Sequence, residues 1–178
     1  QSLSSQPAIT DFALAWLVLG LDSNGREAKA TEVAQKLISA QDTDGGFDDY
    51  TPDASTSDAT GLALQALAAV EGQGDSDQNA AVQTAISKAL SYLTSTIVTD
   101  HWEAYDAINT NGTAYAYMGI KVVNGENDFL TTIHDWLKTQ VMKDGGVQAG
   151  YALGVSNAMA TSQAATAISG FSYLDLLK

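Results

Sequence analysis

The polar and apolar positions of this 178-residue chain fall into helical periods over most of its length. Three segments, at about 27–41, 79–96 and 128–141, are amphipathic. Ala30, Val33, Ala34, Leu37 and Ile38 recur at i, i+3, i+4, i+7 and i+8, and Val82, Ile86, Ala89, Leu90 and Leu93 do much the same. That is the signature of a helix with one wet face. Four other segments, at about 8–21, 57–70, 110–123 and 157–176, are apolar or small nearly all round. From Leu62 to Val70 the one polar side chain is Gln65. Such a helix must be covered on most sides, so Leu62, Leu64, Leu67 and Val70 are expected in the core, with Gln35, Lys36 and Lys88 in water. Covered and half-exposed helices alternate, which predicts an inner and an outer ring. The expected fold is all-α, an α/α toroid or part of one.

The pattern also repeats. Ser/Thr/Asn clusters open the covered segments, and Thr60, Thr113 and Thr161 within them lie 53 and 48 residues apart. A fourth segment starts near Thr10-Asp11. A period near fifty with two helices per unit is a helical-hairpin repeat. Inner-to-outer turns are compact, at Gly20–Gly25, Glu71–Asp77 and Val123–Asn127, each combining Gly with Asn or Asp. The outer-to-inner connections, Asp42–Thr56, Val98–Asn109 and Met142–Asn157, are longer. Two of them open with Asp-Gly-Gly, at Asp44-Gly45-Gly46 and Asp144-Gly145-Gly146, a sharp-turn device that exploits the freedom of glycine at positive φ. No linker or low-complexity tract interrupts the pattern. One domain is therefore expected over residues 7–178, after a frayed end at 1–6.

Gln41-Asp42-Thr43-Asp44-Gly45-Gly46-Phe47 resembles the end of the glutamine–tryptophan repeat, Gln-x3-Gly-x-aromatic, of the terpene cyclase and protein prenyltransferase superfamily of α/α toroids. Gln140 to Val147 is similar, with one extra residue and a final Val, and the middle copy keeps an aromatic, Trp102. Ser57 to Leu67 resembles the start of an inner helix of that superfamily. The resemblance implies a partial toroid, a half barrel of about seven helices. It does not carry the family's chemistry across. The Asp-x-Asp-Asp-Thr of the cyclases is reduced here to Asp58 and Thr60, without the flanking carboxylates that would tune Asp58. A prenyltransferase zinc site and a thioester each need a Cys, and the chain has none.

The same absence excludes a Cys nucleophile, an iron–sulfur cluster and any disulfide, and it fits an exported bacterial protein. Eight Lys and Arg face 21 Asp and Glu, a formal net charge of −13, and 16 of the acids are Asp. Asp prefers caps and turns to helix interiors, so the acidity sits in loops. No basic face offers itself to nucleic acid or to an anionic membrane, and no apolar run is long enough for membrane insertion. The composition points to a secreted or cell-surface protein.

Candidate chemistry gathers in the outer-to-inner connections. Tyr50, Trp102, Tyr105, Asp106 and Tyr151 belong at the end of the ring where inner helices begin. Free N–H groups and positive dipole ends gather there. Aromatic rings among Asp and Asn suit a carbohydrate or peptide ligand. Asp42, Asp44, Asp48, Asp49, Asp53 and Asp58 crowd one loop, and the first four are candidate oxygen ligands for Ca²⁺, although the spacing is not that of an EF-hand. The competing reading is a solvated turn with helix caps. Asp58 alone is a weak catalytic acid whose place in a first turn explains it. Tyr115 and Tyr117 alternate with Ala, so at most one faces the cavity. His101 and His134 lack metal-ligand spacing and read as surface or capping residues. Asn111-Gly112-Thr113 matches a glycosylation sequon at a buried helix start.

The expected function is a non-catalytic extracellular binding or adhesion module. The alternatives are a toroid-fold enzyme (polysaccharide lyase, glycosidase or cyclase-like) completed by another segment or subunit, and a structural spacer. A half ring leaves large apolar residues bare at both ends, including Trp16 and Phe171, so neighbouring domains or a second copy are expected partners.

Overall fold

The computed structural model describes residues 9–49 and 54–177. The expected frayed end, Tyr50 and Asp53 lie outside the described residues. Among those described, eight α-helices and four short strands follow one another: α1 (Asp11–Ser23), α2 (Glu27–Ala40), α3 (Ser57–Val70), α4 (Ser76–Thr96), β1 (Glu103–Ala104), β2 (Ala107–Ile108), α5 (Thr110–Asn124), α6 (Asp128–Thr139), β3 (Val147–Ala149), β4 (Ala152–Asn157), α7 (Ala158–Ile168) and α8 (Tyr173–Leu177). The fold is all-α. The strands form two separate antiparallel hairpins, β1–β2 and β3–β4.

Polar caps set where the helices start. Thr10, Thr56, Asn109, Asn127 and Asn157 each accept the N–H of the third residue of the helix that follows. Asp75 and Gln78 form a reciprocal capping box on α4. The helices then sort by how much they bury. α1, α3, α5 and α7 form a row in which each touches the next, while α2 packs on α1 and α3, α4 on α3, and α6 on α5 and α7. α3 is the most enclosed: Leu62, Leu64 and Leu67 are fully buried and Val70 nearly so. The flanking helices each bury one stripe, such as Leu130, Ile133 and Leu137 of α6. Lys36 and Lys88 stay in water, whereas Gln35 is half-buried.

The tightest contact in the row is between α3 and α5. A Cβ at Gly61 would collide with the backbone carbonyl of Tyr115, and one at Gly119 with the carbonyl of Gly61. The two helices meet backbone to backbone, which no larger residue allows.

Two features differ from the sequence reading. The last segment is two helices, because the chain turns at Gly170 with φ +78°. Ser172 and Asp175 then cap α8 reciprocally: the Asp175 N–H donates to the Ser172 hydroxyl at 3.1 Å and the Ser172 N–H to the Asp175 carboxylate at 2.8 Å. This gives eight helices rather than seven, and α8 folds back on α3 and α1. The hairpins are the second difference. Their strands are two to six residues long, too short to imprint an alternating pattern.

Gly61→Ala and Gly119→Ala should each cost about 2–3 kcal/mol by forcing α3 and α5 apart. Gly20→Ala, in α1 with open space around it, should instead gain about 0.5–1 kcal/mol. Urea denaturation of the three variants checks the contrast; equal effects would refute the close approach.

Candidate functional site

Three helices of the row open on the same arrangement. The Thr60 hydroxyl accepts the Phe47 N–H at 2.9 Å, Thr113 that of Trp102 at 3.0 Å, and Thr161 that of Val147 at 2.8 Å. The carbonyls of Phe47 and Trp102 in turn accept the N–H groups of the caps Thr56 and Asn109, at 2.9 and 2.8 Å, and Val147 pairs with Asn157 in the β3–β4 ladder. Each clamp holds one residue of the preceding connection against the helix start and buries its side chain. Phe47, Trp102 and Val147 are all buried. The repeat of threonines is therefore a repeat of clamps.

Trp102, expected to face a ligand, is a core residue. Its clamped backbone turns the ring inward, where Nε1 donates to the Leu93 carbonyl at 3.1 Å and to the Thr96 hydroxyl at 3.2 Å.

The Asp-Gly-Gly turns are also built alike. Asp44 accepts the Gly46 N–H at 2.9 Å and the Ser55 hydroxyl at 2.7 Å; Asp144 accepts the Gly146 N–H at 3.1 Å and the Ser156 hydroxyl. Asp42 takes the Ser55 hydroxyl as well, at 2.9 Å. Gln41 Nε2 ties the first turn to α4 by donating to the Ala85 carbonyl at 3.0 Å. Among the described residues no group of three or more acidic or histidine side chains could hold a metal ion. Asp42 and Asp44 are engaged in closing their own turn. Asp48 and Asp49 lie beside two further carboxyls.

Those two, Asp11 and Asp58, sit in the first turns of the neighbouring helices α1 and α3. Asp11 is buried, and its carboxylate accepts the Asp48 N–H at 3.4 Å. Loss of water pushes its pKa up to about 6; the hydrogen bond opposes this, and the charges of Asp48 and Asp42 add to it. Asp58 is raised for the same leading reason, against a hydrogen bond donated by Asn109 Nδ2 at 2.8 Å and with the Asp49 charge reinforcing it. Gly112 makes room for this pair, since a Cβ there would strike Ser57, Asn109 and Asp58. Asp11 escaped the sequence reading, which had no signal for its burial.

Tyr105, Asp106 and Tyr151 all lie in hairpin turns. Tyr105 and Asp106 form the two-residue turn between β1 and β2, with φ of +54° and +60°. Tyr105 is 100% exposed and Tyr151, in the turn between β3 and β4, is 76% exposed. The hairpins touch: a Cβ at Gly150 would collide with the carbonyl of Ile108. Beyond Tyr151, Leu153 and Val155 of β4 are exposed too.

The remaining candidates are structural. Tyr115 and Tyr117 are both buried and point apart. Tyr115 meets Phe12 and Tyr173, and Tyr117 stacks on His134. His134 Nε2 lies 2.9 Å from the Ile168 carbonyl at the end of α7, so it is a capping residue. His101 is half-buried rather than on the surface, stacked on Trp136 and 2.8 Å from Asp100. Asn111 of the sequon donates to Gln163 of α7. Two shallow depressions of about 310 and 320 Å³ lie beside α4 around Thr84 and Lys88, and Asp44 is the one candidate residue on their walls.

No protein-family model matches the chain, and no curated protein is significantly similar to it.

Two measurements test this geometry. Thr113→Val should strand the buried Trp102 N–H and cost about 1–3 kcal/mol, read by urea denaturation. Asp11 has a folded pKa above its unfolded value, so it stabilises the protein fully below about 3.8, and that stability is lost as pH rises through about 6. Asp11→Asn should therefore be more stable than the parent at pH 7 and lose part of the decline between pH 4 and 6. An unchanged pH profile of the melting temperature would refute the buried ionisation.

Proposed function

We propose that the chain is an extracellular, non-catalytic ligand-binding module, built on an arc of an α/α toroid in which α1, α3, α5 and α7 are the inner helices. Its ligand, a carbohydrate or a peptide, meets the hairpin tips at the end where the inner helices begin. The observation that carries this reading is the Tyr105-Asp106 turn. Both residues take a left-handed backbone that costs an L-residue about 1–2 kcal/mol, in a turn for which Asn-Gly is the unstrained choice. Strain combined with a fully exposed aromatic ring marks a position kept for contact rather than stability. Tyr151 on the adjoining hairpin supplies a second exposed ring, and exposed rings with a carboxylate in the same turn suit sugar faces and peptide groups.

The bare apolar residues at the two ends of the row support neighbours for the module. Phe171 is exposed, with Leu17 of α1 and Met159 of α7, whereas Trp16, expected bare, is half-buried against Tyr173 of the same chain; the exposed three fit a second copy or an adjoining domain.

An enzyme is the second reading, favoured by the Asp58 carboxyl held between α3 and α5 by Asn109 Nδ2 at 2.8 Å, where loss of water favours the protonated form a general acid needs.

Replacing Tyr105-Asp106 by Asn-Gly should raise stability by about 1–2 kcal/mol and weaken binding of glycans or peptides selected on an array by about tenfold or more. Calorimetry and binding on the same samples check both signs. Binding that survives the exchange and the Tyr151→Ala variant would refute the site, while hydrolysis abolished by Asp58→Asn would favour the enzyme.

A further inference from the structure

The four helices of the row carry their small residues in one register, set by the caps Thr10, Thr56, Asn109 and Asn157. Positions three, seven and ten residues after a cap share a face of the helix. In α5 they are Gly112, Ala116 and Gly119. This flank meets α3, since a Cβ at Gly112 would strike Ser57 and Asp58, and one at Gly119 the carbonyl of Gly61. The same positions are Ala59, Ala63 and Ala66 in α3, and Ala160, Ala164 and Ala167 in α7. All of these are buried. In α1 they are Ala13, Leu17 and Gly20, and all three are exposed. Gly20 stands at the register of Gly119, yet no described residue of another element comes within 4 Å of the place its Cβ would take. A glycine inside a helix weakens it, and the close approach that explains Gly119 is missing around Gly20.

The other end of the row supplies the complement. α3 turns residues one, two and five after its cap towards α5, namely Ser57, Asp58 and Gly61. Their counterparts in α7 are Ala158, Met159 and Ser162, and all three are exposed. Ala165 continues that exposed face by one turn. Neither flank repels a neighbour: α7 contains no charged residue, and Ala13, Leu17 and Gly20 are uncharged in a chain of net charge −13.

We infer that α1 of a second copy docks on α7, so that copies join head to tail and the row continues from one to the next. The occupant is a second copy because the chain carries both halves of the contact, in the register by which α3 and α5 meet within it. Leu17 stands where α5 has Ala116, and Met159 and Ser162 where α3 has Asp58 and Gly61. The seam between copies is therefore more apolar than the internal one and wider by a side chain. Two different flanks meet, so the contact is heterologous and each copy keeps one free half. This takes up the second copy that the bare ends of the row support, and it leaves the hairpin tips uninvolved.

The test is light scattering of the full chain across a concentration series at about 0.15 M salt, which screens the repulsion between acidic copies. The parent should pass from monomer to dimer and larger species. Gly20→Lys blocks the α1 flank and Ser162→Lys the α7 flank. Each should weaken association by about tenfold or more, although positive charge added to so acidic a chain would otherwise ease it. Mixed together, the two variants should form a 1:1 dimer and nothing larger, because each retains one working flank. Leu17→Lys and Ala165→Lys give the same reading if either first variant does not fold. Tyr105→Ala should leave association unchanged, which separates this contact from ligand binding at the tips. A parent that stays monomeric up to about 1 mM overturns the proposal, and so does a parent dimer that the folded variants do not weaken or a mixture that stays monomeric.

Discussion

The backbone contact between α3 and α5 is the constraint on which the rest depends. Gly61 and Gly119 let the two helices approach until carbonyls of one lie against the other. Close helices bring their N-termini together, and the caps must share the space. Asn109 can then reach Asp58, 51 residues earlier, and Gly112 leaves the gap in which that hydrogen bond fits. A row with wider spacing would separate these groups and hydrate both. The close approach also takes water from Asp58, and that loss raises its pKa against the Asn109 hydrogen bond.

From that row, the threonine clamps carry order outward into the connections. A clamp fixes one residue of each connection, and what the chain does next depends on length and turn chemistry. The second and third connections form hairpins, and the first and third each carry an Asp-Gly-Gly turn ahead of the clamped residue. Burying Phe47, Trp102 and Val147 at the roots leaves the tips free to carry rings that no core needs. Tyr105 and Tyr151 are exposed because their connections are already anchored at the other end.

The end of α7 is held by another economy. A chain with eight Lys and Arg has few cations to place, yet Lys121 serves two partners, the Glu126 carboxylate at 2.7 Å and the Gly170 carbonyl. His134 meets the Ile168 carbonyl from α6. Carbonyls at a helix C-terminus lack intrahelical donors, so both side chains converge where α7 stops and the chain turns towards α8. That turn brings Tyr173 to Gln65, whose Oε1 accepts the Tyr173 N–H at 2.8 Å.

Helix periods, caps and the fifty-residue repeat are local properties, and the sequence alone determined them closely. α3 spans Ser57–Val70 as its pattern predicts, and the caps Thr10, Thr56 and Asn109 fall where polar residues precede apolar runs. The glutamine of the repeat motif and the repeated threonines were visible as spacing. Their roles were not, because a clamp needs the partner N–H that only folding delivers. Trp102 illustrates the limit: an aromatic in a connection can face solvent or core, and the hydrogen bond from its backbone to Thr113 decides. Burial of Asp11, the hydrogen bond of Gln65 to α8 and the meeting of Tyr173 with Trp16 were likewise decided by tertiary structure. Each depends on contacts between residues distant in sequence, and the free energy of such contacts comes from desolvation and geometry that no local pattern encodes.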